Sequence, residues 1–139
     1  MPLPLEERQS FLAQPHIGAL AVNKAGRAPL SVPIWYQYSP GGELWIITSP
    51  DSQKMQLLKE SGRFSIMAQV LEPTVRYVTV EGPVTRIGPM SDEMHLEMAS
   101  RYLTPDQVTR YLKYAEPIGV QVAVYMRPEH WLSADMGPL

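Results

Sequence analysis

LSVPIWYQYSPGGELWIIT, residues 30–48, is the stretch that decides the fold class. Apolar side chains stand at every second position of its first half: Leu30, Val32, Ile34, Tyr36 and Tyr38. A period of two is typical of a β-strand with one face buried. Residues 39–42 (SPGG) have turn chemistry, and the apolar run over residues 43–48 predicts the second strand of a hairpin.

Four more strands and three helices are predicted outward from this hairpin. The strands are expected at residues 17–22, 64–70, 76–86 and 120–126, where apolar residues alternate. A short helix is expected through residue 58, and a helical pair over residues 90–103 and 105–115, the second opened by a capping box at residues 104–107. The tail around Trp131 is expected to be extended. Six alternating strands in so short a chain predict one domain, residues 1–139, that is a mainly β, six-stranded antiparallel barrel with a few short helices, because closure removes edge strands.

Composition excludes several classes of protein. The 139 residues are 45% hydrophobic, enough for one core and too apolar for disorder, and the net charge of −2 gives no electrostatic reason to bind nucleic acid. Cysteine is absent, and His16, His95 and His130 lack metal-ligand spacing, so no metal site is expected. The first residues do not have the pattern of a signal peptide, and no apolar run approaches the ~20 residues that span a bilayer. We therefore expect a cytoplasmic protein without membrane contact.

The usual nucleotide-binding and nucleophile-elbow motifs are absent, which leaves residues 48–54 (TSPDSQK) as the first candidate site. Hydroxyl groups and a lysine gather where a strand enters a helix: Thr48, Ser49, Ser52, Gln53 and Lys54. Free backbone N–H groups at a helix start favour an anion, and Lys54 adds a positive charge. The alternative is ordinary capping by Asp51 or Ser52 with a solvated lysine.

The second candidate is the segment Val32, Pro33, Ile34 and Trp35. A proline inside a strand removes one ladder donor, so this strand is expected to lie at an edge or to carry a bulge. Backbone groups there can face a planar ligand, with Trp35 beside it. The alternative is a bulged strand with a core or interface tryptophan, and Tyr77 and Trp131 have packing explanations of the same kind.

The order of these motifs resembles that of a known family. Its most specific stretches are TSPDSQK (48–54), RYVTVEG (76–82) and HWLSAD (130–135), and the resemblance covers residues 16–135. Together they resemble the pyridoxamine 5'-phosphate oxidase-like split-barrel superfamily. Within it, the chain is most similar to the actinobacterial flavin/deazaflavin oxidoreductases, which include reductases that use the deazaflavin coenzyme F-420, among them a biliverdin reductase.

The resemblance implies a six-stranded split barrel, a homodimer and cofactor sites at the dimer interface. The low charge content and the three Trp and seven Tyr residues also favour an apolar interface. By position, the resemblance implies three groups of cofactor-binding residues. They are Thr48, Ser52, Gln53 and Lys54 on the phosphate, Val32 to Trp35 and Tyr77 along the ring, and Trp131 contributed by the partner subunit.

Two departures from the oxidases bear on the reaction. Gln53 stands where they carry an arginine, and residues 132–135 lack the arginine and histidine pattern that holds pyridoxal phosphate. We therefore expect an enzyme, not a vitamin B6 oxidase, that transfers hydride between coenzyme F-420 or FMN and a small planar organic substrate. The alternative is a non-catalytic flavin- or tetrapyrrole-binding protein. No catalytic residue is singled out, since Tyr36, Tyr77 or a bound water could each deliver a proton.

Overall fold

The computed structural model describes residues 1–138, which form one curled antiparallel sheet with four helices. The helices are α1 (Leu5–Ala13), α2 (Gln53–Ser61), α3 (Asp92–Tyr102) and α4 (Pro105–Ala115), and a 3-10 turn, Glu116–Ile118, follows α4. The strands are β1 (Gly18–Val22), β2 (Leu30–Ile34), β3 (Tyr36–Tyr38), β4 (Leu44–Thr48), β5 (Arg63–Val70), β6 (Arg76–Pro89), β7 (Val122–Met126) and β8 (His130–Asp135). The mainly β prediction is confirmed.

The hydrogen-bonded strands follow one path in the order β2-β1-β5-β6-β7-β4-β3, and β8 pairs with β6. The long strand β6 pairs with β5 and β8 through its first half and with β7 through its second half. Its register with β7 shifts between Val84 and Arg86, which is the irregularity that lets one strand serve two parts of a curled sheet.

The sheet has eight strands, so the prediction of six was wrong. The tail around Trp131 forms β8, and the strand predicted over residues 30–38 is divided at Trp35 into β2 and β3. Pro33 has no N–H to offer a ladder. Beyond Trp35, the Tyr102 hydroxyl accepts from Tyr36 N at 3.1 Å and lies 3.0 Å from Tyr36 O, where a neighbouring strand would otherwise bond.

The two ends of the path, β2 and β3, are consecutive in the chain. Within residues 1–138 no ladder joins them, so the sheet is a curled half-barrel and not the closed barrel that the strand count suggested. Because only Trp35 separates β2 from β3, both ends of the sheet still meet at this residue.

Helix α1 was not predicted, since it is short and lacks an apolar stripe. It packs Phe11 and Leu12 into the core, where they are 4% and 0% exposed. The buried Tyr36 hydroxyl donates to Leu12 O at 2.6 Å. Arg101 of α3 donates to the carbonyls of Ala13 and Gln14, at 2.7 and 2.6 Å, so the C-terminal end of α1 is held by groups far along the chain.

The predicted cap and end of α2 and the predicted start of α4 are confirmed. Ser52 caps α2 by accepting from Met55 N, and Gly62 ends that helix with a φ of 67°, a left-handed conformation that favours glycine. Thr104 and Gln107 form the predicted capping box of α4. No helix within residues 1–138 has the length and apolar character needed to cross a bilayer.

Candidate functional site

A cleft of about 450 Å³ opens beside Trp35, where the two ends of the sheet meet. We call it the Trp35 cleft, and it is lined by Ile17, Pro33, Ile34, Trp35, Ile47, Met98, Tyr111 and Gln121. Three of the four residues of the predicted segment Val32 to Trp35 are therefore on its wall. Val32 is partly buried and packs against the hydrophobic core instead.

The indole of Trp35 is held in place by two tyrosines from the helical pair. Tyr102 stacks on it with ring centroids 5.0 Å apart and an interplanar angle of 13°. Tyr111 packs against it at 5.2 Å and 48°. The Tyr102 hydroxyl lies 2.8 Å from His16 O as well as close to the backbone of Tyr36, so the ring and its hydroxyl fix the position of Trp35 together.

Residues 48–54 form the start of α2, as predicted. Thr48 is 4% exposed at the end of β4, and its hydroxyl lies 2.9 Å from the Ser52 hydroxyl. Ser52 also accepts from Met55 N at 3.1 Å, so the capping alternative is correct for this serine. Gln53 and Asp51 are exposed, whereas Ser49 and Lys54 are partly exposed.

The donor set at the start of α2 fits a phosphate. The first turn of α2 contains no acidic residue, and its N–H groups point toward the positive end of the helix dipole. Within residues 1–138, none of the ion pairs involves Lys54. Two hydroxyls, the first-turn N–H groups and an ammonium group are the groups that bind a phosphate at a helix start. The segment thus combines helix capping with the chemistry of an anion site.

The Trp35 cleft and the start of α2 lie at the same end of β4 but on opposite faces of it. Ile47 faces the cleft, and the alternation of the strand turns its neighbour Thr48 to the buried side. A ligand with a planar ring and a phosphate would have to reach around this strand end. The end of β4 is therefore the centre of the candidate site.

The remaining two predicted residues lie elsewhere in the chain. Tyr77 is on β6, opposite Gln69 of β5 and Ala134 of β8, and it does not line the Trp35 cleft. Trp131 lines a different cavity and packs against Tyr38, with ring centroids 6.2 Å apart. Within one chain, the structure does not bring these two side chains to the other candidates.

Met98 and Tyr111, which no sequence motif indicated, line the cleft. Tyr102 stacks on Trp35 and His95 contacts Tyr111, so the helical pair supplies four residues at or next to the cleft. His95 Nε2 lies 3.1 Å from the Tyr111 hydroxyl, and the two rings pack edge to face. Burial raises the pKa of Tyr111, and burial lowers the pKa of His95 against the opposing effect of Asp92.

Solved structures share this fold at low sequence identity. An F-420 reductase superposes with a TM-score of 0.71 at 22% identity, covering 89% of this chain and 94% of the other. A conserved hypothetical protein of Mycobacterium tuberculosis gives 0.72 at 23% identity, covering 96% and 85%. An FAD-binding protein of Mesorhizobium loti gives 0.63 at 20% identity, covering 97% and 95%.

The family of the chain is shown by its sequence. None of the curated proteins matches the chain. The sequence pattern of the family described as pyridoxamine 5'-phosphate oxidase matches residues 4–133, nearly the whole of it. The chain belongs to the pyridoxamine 5'-phosphate oxidase family.

Proposed function

We propose that the protein is an oxidoreductase that transfers hydride between a bound coenzyme F-420 or FMN and a small planar organic substrate. The observation that carries this proposal is the end of β4, where an aromatic cleft lies on one face and the start of α2, with its hydroxyls and lysine, on the other. A flavin-type cofactor has a planar ring for the first and a phosphate for the second. The related folds described as an F-420 reductase and an FAD-binding protein support the choice of cofactor class.

Each part of the site has a proposed role. Lys54 and the first-turn N–H groups of α2 bind the phosphate, with the hydroxyls of Thr48 and Ser52 beside them. Pro33 and Trp35 lie along the ring, and the apolar wall formed by Ile17, Ile47 and Met98 excludes water from it. When bound, the reduced cofactor supplies the hydride, while these side chains provide orientation and electrostatics.

The oxidation of pyridoxamine phosphate is not the proposed reaction. Gln53 stands at the position where an arginine would grip phosphate with two parallel hydrogen bonds. The segment after Trp131 consists of Leu132, Ser133, Ala134 and Asp135 and contains no cationic residue. The Ser133 hydroxyl already accepts a hydrogen bond from Leu3 N within the chain. The segment after Trp131 therefore has no cationic group for the phosphate of a vitamin B6 substrate.

We also propose that two copies form the complete site. One face of the sheet carries a cross-strand row of small or apolar residues with low charge: Pro33, Ala19, Met67, Thr79 and Leu132. Leu132, at the end of this row, is 63% exposed in the single chain. Tyr77 is on the same face of β6 as Thr79, so pairing along this face would bring it to the partner subunit. Trp131 is on the other face of the sheet, where it packs against the core.

The dimer is tested by light scattering on the purified protein. The expected mass is twice the 15.7 kDa of the chain. Leu132→Lys, which places a charge in the row, is expected to shift the mass toward one chain. A wild-type mass of one chain over the whole concentration range would refute the dimer and the interface-built site.

The hydride-transfer reaction is tested by turnover. The protein is mixed with reduced F-420, or with reduced FMN, and a panel of acceptors that contains biliverdin, a quinone and a nitroaromatic compound. The expected result is catalytic oxidation of the cofactor with at least one acceptor, measured from the cofactor's absorbance. Binding of the cofactor with no turnover on any acceptor would instead support the alternative, a non-catalytic flavin- or tetrapyrrole-binding protein.

A further inference from the structure

Tyr111 is the polar side chain that the helical pair contributes to the wall of the Trp35 cleft, and its hydroxyl contacts a histidine ring nitrogen. Its ring lies 5.2 Å from the Trp35 indole, and its oxygen lies 3.1 Å from His95 Nε2. Tyr111 is at the front, on the cleft, and His95 is behind it, on α3. A hydroxyl that contacts an imidazole in this way is a candidate for proton transfer.

The other tyrosines are poorly placed for this role. Tyr36 is 0% exposed, and its hydroxyl is already used by Leu12 O at 2.6 Å. Burial raises the pKa of Tyr36 far above its usual range. Tyr102 turns its hydroxyl to the backbone of His16 and Tyr36, away from the cleft. Tyr77 is several strands away from Trp35, on β6.

Behind the Tyr111–His95 pair lies a second cavity of about 550 Å³. His95 is on its wall, and Gln121 lines both this cavity and the Trp35 cleft. Val120 at its rim is 80% exposed, so the cavity opens to solvent. The pair therefore stands between the Trp35 cleft and a second, water-accessible space, which is the position that a proton relay requires.

We propose that Tyr111 donates the proton to the substrate that is reduced in the Trp35 cleft, and that His95 returns a proton to Tyr111 from the second cavity. The inference rests on the proposed hydride-transfer function and extends it to the substrate class: a conjugated carbonyl or quinone compound whose oxygen takes the proton. Neither residue has been given a role by the sequence analysis or by the family match.

The hydride that a bound reduced cofactor would supply adds to the substrate at carbon or at a conjugated oxygen, and the negative charge collects on the acceptor oxygen. The Tyr111 O–H bond breaks and its proton goes to that oxygen. In the tautomer protonated at Nε2, His95 passes its proton to the phenolate, and Nδ1 takes a proton from water in the second cavity. The net addition to the substrate is one hydride and one proton.

The neighbouring charges are compatible with this relay. Asp92, one turn earlier on α3, and Glu116, after α4, are the acidic groups that line the cavity with His95. Asp92 raises the pKa of His95 and burial lowers it, burial having the larger effect. At neutral pH the imidazole is thus neutral and the Tyr111 hydroxyl is protonated, which are the states from which the transfer starts.

The test uses two substitutions, each with a matched control. Tyr111→Phe removes the proton donor and keeps the ring, and Tyr114→Phe is the control, because Tyr114 is on the same helix and is 73% exposed. His95→Gln removes the relay, and the exposed His130 serves as its control in His130→Gln. The readouts are the dissociation constant of the cofactor, kcat as a function of pH, and the ring-nitrogen NMR signals of His95 in protein without cofactor.

Tyr111→Phe is expected to lower kcat by about 100-fold, the lower end for a general acid, with the cofactor's dissociation constant within about twofold of wild type. His95→Gln is expected to lower kcat by about tenfold and to remove the part of its pH dependence that follows the His95 titration. Without cofactor, Tyr111→Phe is expected to shift the Nε2 signal of His95. Both controls should match wild type.

Three results would overturn the inference. If wild type turns over and Tyr111→Phe keeps kcat within threefold, the proposed function stands and the relay is wrong. If Tyr111→Phe does not fold, His95→Gln carries the test, and an unchanged pH profile then refutes the relay. If wild type binds cofactor but reduces none of the acceptors, the proposed function fails and the relay fails with it.

Discussion

Replacing Tyr102 by phenylalanine tests how one side chain divides a strand and orders the site. The Tyr102 hydroxyl accepts from Tyr36 N at 3.1 Å and reaches the carbonyls of His16 and Tyr36 at 2.8 and 3.0 Å. One hydroxyl donates to one carbonyl at a time, so Tyr102→Phe leaves one partly buried N–H and one partly buried carbonyl without a partner. Each costs ~1–3 kcal/mol when it is left unsatisfied.

The stacking of the ring on Trp35 is kept in Tyr102→Phe, so no apolar contact is lost. Because both backbone groups are only partly buried, we take the lower part of the range and expect a loss of about 2–3 kcal/mol in the free energy of unfolding. The assay is urea denaturation followed by tryptophan fluorescence, with an unchanged m-value. Tyr114→Phe, on an exposed tyrosine, should stay within about 0.5 kcal/mol of wild type. A loss below 0.5 kcal/mol for Tyr102→Phe would show that water replaces the hydroxyl and that the strand break has another cause.

Three further predictions concern stability. Gly82→Ala should lower the free energy of unfolding by more than about 4 kcal/mol, because the new Cβ would lie 1.8 Å from the backbone oxygen of Arg127. Gly88→Ala is the control: there is open space around Gly88, so this variant should be as stable as wild type in the same denaturation assay. Ser52→Ala should lower the free energy of unfolding by about 1–2 kcal/mol in the same assay, because α2 loses its cap. Ser52→Asp keeps a capping oxygen and should restore the stability if the loss is due to capping. Burial lowers the pKa of His16, so just below pH 6.5 the unfolded chain binds more protons than the folded chain, and the free energy of unfolding falls as the pH falls through that value. His16→Gln should flatten this dependence of stability on pH. An equal slope in the two proteins would contradict the assignment.

The sequence was informative wherever structure depends on neighbours along the chain. Alternation located the strands, and the cap of α2 and the capping box of α4 lie where their residue types predicted. The division at Trp35 could not be predicted, because it depends on Tyr102, a side chain 66 residues beyond Tyr36. Strand β8 was missed for a similar reason: His130–Asp135 lacks a continuous apolar alternation and becomes a strand by pairing with β6.

The same distinction between local sequence and tertiary contacts applies to the candidate site. Pro33 to Trp35 and residues 48–54 are local segments whose proline, hydroxyls and lysine carry a chemical signal of their own, and both segments lie at the end of β4. Tyr111 and His95 carried no such signal. Each is one residue in a helical pattern, and their contact depends on how two helices pack against each other. The placement of Tyr77 and Trp131 at a shared cofactor stays a prediction, since it concerns a second copy of the chain.

The most direct test of the account is a binding titration of the purified protein with F-420 and with FMN, followed by intrinsic tryptophan fluorescence. Wild type is expected to bind one of them with micromolar affinity and to show quenching of Trp35. Lys54→Ala should weaken that binding about 10- to 100-fold, as expected for the loss of one charged partner of a phosphate, and Lys59→Ala, at the other end of the same helix, should not. Binding of neither cofactor, or equal binding by the two lysine variants, would contradict the proposed site at the start of α2.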